Sequence, residues 1–393
     1  MAGNAPTDLR RARLATSAIF LLFGAALGAW TARIPAIKHD LGLTDGSLSL
    51  ALLAFAAGAI AGMQVAGRLV DRLGSSRILL PTAIAEGVAL TTPAFAPNLA
   101  VLATCLFVFG AVHGVLNIAM NANAVEIQRS WGKPIITSFH AVYSVGGFVG
   151  AAFGGLFAAA ELSARVTFLS LAVLLIVLAA IAGPRVLKTP AVAASEQDGP
   201  QRTSGVLLLG VLAFCCLVGE GAAADWSSVY LRDSLGSTAG FAAAAYASFA
   251  IAMTAGRLVG DRLAARFGQI ILVRASAALA AAGLAMALIA GHPIAGVIGF
   301  GCLGAGLACI APQVFSAAGN RNPARAGQAI ARVAAMGYAG FLVGPVVIGA
   351  FAQLSSLRCA LSVPVVLTVF VALAATALQP QSGRLLPISW HRA

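Results

Sequence analysis

"GRLVDRLGSSR" occupies Gly67–Arg77, and "GRLVGDRLAARFG" occupies Gly256–Gly268. Each sets a glycine, an Asp-Arg pair and further arginines between long apolar runs. Arginine clusters interrupting such runs mark turns at a membrane surface, and finding the same cluster twice marks equivalent turns of a duplicated fold. The leading glycines stand 189 residues apart. Weaker echoes keep a similar offset: "AWTAR" from Ala29 against "DWSSV" from Asp225, "LGLT" from Leu41 against "LGST" from Leu235, and "GGFVG" from Gly146 against "AGFLVG" from Ala339.

The chain is 60% hydrophobic and 10% charged, with a mean hydropathy of +0.92, which excludes an ordinary soluble domain. Apolar runs recur, each of about 20 residues and so able to cross a ~30 Å hydrocarbon core as a helix. They begin with Leu14–Thr31 and end with Cys359–Leu378, and period-2 alternation is absent, which excludes a barrel. Twelve spans result. A polar stretch at 185–204, with Pro190, Gly199 and Pro200, separates six from six. The expected organisation is a cytoplasmic N-terminus (1–13), a six-helix bundle (14–184), a cytoplasmic linker (185–204), a second bundle (205–378) and a cytoplasmic tail (379–393). Six spans between the repeated motifs is an even number, so both halves enter the membrane in the same direction.

A net charge of +12 would suggest a polyanionic partner in a soluble chain. With the N-terminus inside, however, only Arg33, Lys38, Arg165, Arg232 and Arg358 of the 25 basic residues fall outside. The rest, Arg257 included, fall on the cytoplasmic side. This positive-inside bias places both termini in the cytoplasm and excludes a nucleic-acid partner. The partners expected are a lipid bilayer of the bacterial inner-membrane type and a small-molecule substrate, with the chain a monomer. The six cysteines lie in or at the ends of spans without metal-ligand spacing, so no metal site, cofactor or disulfide framework is expected. "GKP" at Gly132 lacks the upstream glycine of a phosphate-binding loop, and acids and histidines do not cluster, which argues against a pump and an enzyme.

The paired motif resembles the loop 2-3 signature of the major facilitator superfamily. "GAWTARIPAIK", "LNIAMNANAVEIQ", "SFHAVYSVGGFVGA" and "ADWSSVYLR" further resemble the branch containing the rhizopine-associated MosC proteins, and more distantly the fucose permeases. The resemblance implies an all-α membrane protein of two pseudo-symmetric six-helix bundles that transports solute by alternating access. It also implies a cytoplasmic latch formed by Gly67, Asp71, Arg72, Gly256, Asp261 and Arg262. In it the glycines permit close helix contact, the aspartates face helix N-termini across the bundle, and the arginines pair with acids or last-turn carbonyls.

Polar residues within spans are the candidates for the solute path, because such groups are costly in hydrocarbon. In the fourth span His113, Asn117 and Asn121 share one helix face and are expected to line the cavity. His140 and Tyr143 follow in the fifth, and Gln313 follows Pro312 in the tenth. Tyr246 and Gln64 are weaker candidates. Gly146, Gly150 and Gly154 read as tight helix packing, Gly344-Pro345 as a bend, and Glu86 as a neutral or snorkelling residue of a peripheral helix. Arg33 and Asp225, near the outer ends of the first and seventh spans, are expected to pair as an outer gate above Trp30 and Trp226. Glu220 lies ~21 Å along the seventh span. Burial there disfavours charge, which suits a proton site, although a structural glutamic acid explains the residue equally well. The function expected is a secondary transporter of a small polar solute such as a sugar, cyclitol or amino sugar, coupled to protons. Alternatives are a multidrug or metabolite efflux carrier and a non-transporting receptor.

Overall fold

The computed structural model describes residues 5–188 and 204–379. Most of the expected linker and nearly all of the expected tail lie outside them. The described residues contain twelve helices long and apolar enough to cross a membrane. The first half comprises α1 (Thr7–Asp40), α2 (Gly46–Leu73), α3 (Ser75–Phe95), α4 (Leu99–Trp131), α5 (Ile136–Ala159) and α6 (Ala164–Arg185). The second comprises α7 (Gly205–Ser234), α8 (Gly240–Phe267), α9 (Gln269–Ala290), α10 (Pro293–Arg321), α11 (Pro323–Leu354) and α12 (Leu357–Leu378). The end of the bundle at which odd-numbered helices begin carries the arginines of both repeated motifs and is termed the basic face. The other end is the far face.

Helices pair in the same pattern in both halves, α1 with α5 and α2 with α4, then α7 with α11 and α8 with α10. Lipid is as apolar as leucine, so close backbone packing rather than the hydrophobic effect holds such pairs, and it needs residues without bulk. A Cβ at Gly146 or Gly150 would collide with the carbonyl of Leu21 or Ala25 on α1, and one at Gly58 or Gly110 would meet the α2–α4 backbone. Gly340 and Gly304 serve the α7–α11 and α8–α10 pairs in the same way. Pro345 lies inside α11 and the helix runs through it. The helix α10 is interrupted by Ala308 and Cys309, where Pro312 has no N–H for the carbonyl four residues back.

The helix starts differ between the two faces. At the far face each even-numbered helix carries its own N-cap: Thr44, Asn98, Ser163, Thr238, His292 and Ser356 accept from first-turn N–H groups. At the basic face α5 and the α-helix of α11 begin after Ile135 and Arg325, neither of which supplies a side-chain cap. Their first N–H groups need acceptors from elsewhere.

Replacing Gly150 with alanine forces α1 and α5 apart and should destabilise the protein by about 1–3 kcal/mol. At Gly155 nothing lies within 4 Å of an added Cβ, so Gly155→Ala should be neutral. Thermal unfolding of the two purified variants checks the contrast, and equal melting would refute the packing account.

Candidate functional site

The missing acceptors come from the opposite half. Asp71, at the end of α2, accepts from the backbone N–H of Gly327 (2.8 Å) and Gln328 (3.2 Å) in the first turn of α11. Asp261, at the end of α8, accepts from the N–H of Thr137 (2.8 Å) and Ser138 (3.0 Å) in the first turn of α5. The remaining N–H groups at the start of α5, those of Ile135 and Ile136, are taken by Oε1 of Gln128. A carboxylate on a helix N-terminus gains both charge-assisted hydrogen bonds and the favourable end of the helix dipole.

Other contacts strengthen this closure. Gln128 Nε2 donates to Ser316 Oγ on α10 (2.6 Å), Arg129 donates to Asn320 Oδ1 (2.8 Å) and to the Gly319 carbonyl, and Gln313 Nε2 donates to Thr137 Oγ1 (3.1 Å). Gln313, expected on the solute path, is therefore fully buried in the seal between the halves. Gly67 lies flush against Gln328 and Ala331 of α11, whereas Gly256 packs within its own half, against Ala305 and Ala308. Arg72 and Arg262 are exposed and make no hydrogen bond or ion pair among the described residues, contrary to the pairing expected of them. Each follows its aspartate by one residue, about 100° round the helix, so the arginine does not point at the helix N-terminus that its aspartate caps.

Aligning the copies on their aspartates, 190 residues apart, instead of on their leading glycines puts Arg257 where the first half has Gly67. The second copy has one residue more between glycine and aspartate. Arg257 consequently points into the interface and is only 6% exposed, not at the charged surface to which the charge count assigned it. Its Nη1 donates to Ser144 Oγ on α5 across the interface (2.7 Å), and its Nη2 lies 3.6 Å from Glu220 on α7. Its Nε is buried without an acceptor among the described residues. Glu220 is 18% exposed and has the Cys216 thiol 3.9 Å away. Tyr143, Tyr246 and Tyr338 stand within electrostatic range of it, so both halves contribute to the cluster. Arg257 and Tyr338 were missed in the sequence; the 190-residue register would have found the first.

The stripe on α4 is largely spent within its own half. His113 Nδ1 bonds Glu86 Oε1 on α3 (2.6 Å), both side chains are wholly buried, and the imidazole stacks on Phe23 with ring centroids 3.7 Å apart. Glu86 therefore does not snorkel: a nearby imidazole gives it a partner inside the bundle, which costs less than stretching to the surface. Asn121 donates to the Asn117 carbonyl (2.9 Å) and accepts from His140 Nε2 (3.2 Å), and His140 also stacks near Phe315 of α10. Gln64 is exposed at the α2–α11 seam. Arg33 and Asp225 do not meet. Arg33 donates to the Leu162 carbonyl of its own half (2.6 Å) and Asp225 is exposed. Trp30 is buried near Phe109 and Phe168, while Trp226 packs on α11 at Gly349.

The sequence and the twelve-helix fold both have counterparts among known proteins. The Major Facilitator Superfamily profile matches residues 15–325 and again 209–389. The chain belongs to the Major Facilitator Superfamily. An uncharacterized MFS-type transporter of Yersinia pestis is 34% identical over 370 residues, covering 93% of this chain and 95% of the relative. Membrane protein MosC of Rhizobium meliloti is 32% identical over 364 residues, covering 90% and 87%. Among solved structures, the MFS transporter FucP in its outward conformation superposes with a TM-score of 0.80 at 18% identity, covering 93% of this chain and 98% of FucP. The human organic anion transporter MFSD10 gives 0.72 at 14% identity, covering 93% and 99%. This MFS protein is thus a multi-pass membrane transporter, and its relatives and fold are those of transporters rather than enzymes.

Cys309 is buried beside Gly260 at the seam that Asp261 holds, and is a built-in reporter of opening. In a background without the exposed Cys359, Asp261→Asn should speed maleimide labelling of Cys309. Each ~1.4 kcal/mol lost from the closed state gives about tenfold more open protein. Unchanged labelling would rule out a latch at this seam. Removing His113 alone strands a buried carboxyl group and should destabilise the protein by about 3–5 kcal/mol, whereas Glu86→Leu with His113→Phe should restore most of it. Melting temperatures of the single and double variants check this.

Proposed function

We propose that this MFS protein is a proton-coupled secondary carrier of a small polar solute of the sugar, cyclitol or amino-sugar kind, working by alternating access. The observation that carries the reading is the Arg257 guanidinium, buried between the halves with an unfilled Nε and set between Ser144 of one half and Glu220 of the other. Guanidinium donors, a carboxylate acceptor and tyrosine hydroxyls from both halves suit a hydroxylated solute, and the Arg257–Glu220 pair is neutral overall, which suits an uncharged one. A solute touching both halves at this place shifts the balance between their arrangements by whatever extra it gains in one of them. A proton on Glu220 abolishes the attraction to Arg257 and so changes how firmly Arg257 holds α5. One similar structure, with a TM-score of 0.74, is a variant of the E. coli fucose:proton symporter FucP.

In this reading Asp71 and Asp261 hold the basic face shut while the centre communicates with the far face, and their release opens the other route. Twelve helical spans and bacterial relatives favour the inner membrane, with the basic face cytoplasmic by the positive-inside rule. The path lies between two halves of one chain, so a monomer is a complete unit. Export of an organic anion is the second reading, favoured by the unfilled Arg257 Nε.

Proteoliposomes supplied with labelled polyols, amino sugars and organic anions under an imposed pH gradient test both. Glu220→Gln should keep exchange of labelled for unlabelled solute and lose accumulation, while Arg257→Gln should lose at least tenfold in both. Accumulation by Glu220→Gln would place the proton elsewhere. Transport of anions alone, outward, would favour the second reading.

A further inference from the structure

Cys216 is wholly buried on α7, one turn before Glu220, where α7 meets the interruption in α10. Its Sγ lies 3.9 Å from Glu220 Oε1 and 3.8 Å from the carbonyl oxygen of Leu307, the last helical residue before Ala308 and Cys309. The N–H of Ala311, beyond that interruption, also points at the sulfur. The neighbouring Gly219 permits the approach, since a Cβ there would come within 2.8 Å of the Leu307 side chain. We infer that Cys216 is a positioning residue for transport, whose thiol donates either to Glu220 or to Leu307 and so carries the state of Glu220 to the break in α10.

A thiol has one proton and satisfies one of these acceptors at a time. It is a weak donor, so the stronger acceptor decides, and an ionised carboxylate is stronger than a carbonyl. With Glu220 ionised the thiol turns to it and leaves Leu307 unheld. Once a proton or a solute hydroxyl occupies the carboxylate, the thiol turns to Leu307 and braces the break. This step rests on the reading of Glu220 as the group that proton and solute address. The brace matters because Pro312 has no N–H for the Ala308 carbonyl, so the ladder is already open there.

The segment beyond the break gives the switch its reach. Residues Ile310–Arg321 include Gln313, Ser316 and Asn320, which meet Thr137, Gln128 and Arg129 of the other half. The part before the break, Pro293–Leu307, packs instead on α8 and α9 of its own half. A bend between them therefore moves the seal against the bundle that carries it. The charged and titratable groups facing Glu220 and Cys216 are Arg257 and Tyr246 of α8, Tyr143 of α5, Tyr338 of α11 and the adjacent Cys215. Arg257 offers a competing route from Glu220 to the seam through Ser144, and a double-mutant cycle separates the two.

The test uses the purified full chain in detergent, without solute or pH gradient. The infrared difference between it and Cys216→Ala isolates the S–H stretching band of Cys216. Glu220→Gln should move that band to higher frequency, as the thiol exchanges a carboxylate for a weaker acceptor. Cys309, in the break itself, reports the consequence. In a background without Cys359, Glu220→Gln should slow maleimide labelling of Cys309 by about threefold or more when Cys216 is present, and leave it unchanged with Cys216→Ala. Should Cys216→Ala fail to fold, Cys216→Val fills the space without a donor. A merely structural Cys216 would alter labelling equally with Glu or Gln at position 220. An unmoved band, labelling indifferent to Glu220→Gln, or slowing of the same size without the thiol, which would assign the signal to Arg257, each overturns the inference. Any of these leaves the proton-coupled reading standing, whereas accumulation of solute by Glu220→Gln removes that reading and leaves the band and the labelling to judge Cys216.

Discussion

At the basic face α3, α5, α9 and the α-helix of α11 begin without a side-chain cap of their own, and the arrangement of the halves depends on where two of these, α5 and α11, find acceptors. Asp261 and Asp71, each reaching across from the other half, accept from first-turn N–H groups of α5 and α11, while Gln128 of the same half takes those of Ile135 and Ile136. A charge-assisted bond of this kind contributes about 1.5–3 kcal/mol, and it is made only while the halves are together at that face. Elsewhere the requirement is met locally: the far-face starts carry Thr, Asn, Ser or His caps that any rigid motion of the halves leaves intact. Local caps are complete within each half, whereas the shared caps exist only where the two halves meet.

The two seams are equivalent in their aspartates and different one turn further in. At Gly67 α2 lies against the backbone of α11. At the matching place α8 carries Arg257, and the α5–α8 seam is the looser of the two. One inserted residue therefore turns a packing position into a buried charge. From a position four residues along the same helix from Asp261, which caps α5, the guanidinium reaches both Ser144 and Glu220.

Polar groups in the first half show the opposite solution. Glu86 and His113 satisfy one another deep within the bundle, beside the rings of Phe23, Phe55 and Phe109. A pair of this kind is costly to bury and costlier to break, which fixes α3 against α4. The central pair is looser and partly exposed. The first pair is tight and dry at 2.6 Å, the second looser at 3.6 Å and partly exposed, so only the first is locked by its surroundings.

Length, hydropathy, the polar stretch at 185–204 and the twice-repeated Asp-Arg motif determined that this chain crosses the membrane twelve times as two like halves. Those features are periodic and local, and a helix in lipid must satisfy its own backbone, so little else can form. The glycines at 146, 150 and 154 were legible as packing for the same reason. The fates of His113, Gln313, Glu86 and Arg257 were decided by tertiary structure. His113 lies 27 residues from the acid that claims it, and Gln313 lies 176 residues from its acceptor, distances over which sequence carries no record of which helices touch. Arg257 looked like one more surface arginine until the register of α8 against α5 was known, and a shift of one residue on a helix turns a side chain by about 100°, enough to carry it from the surface into the centre.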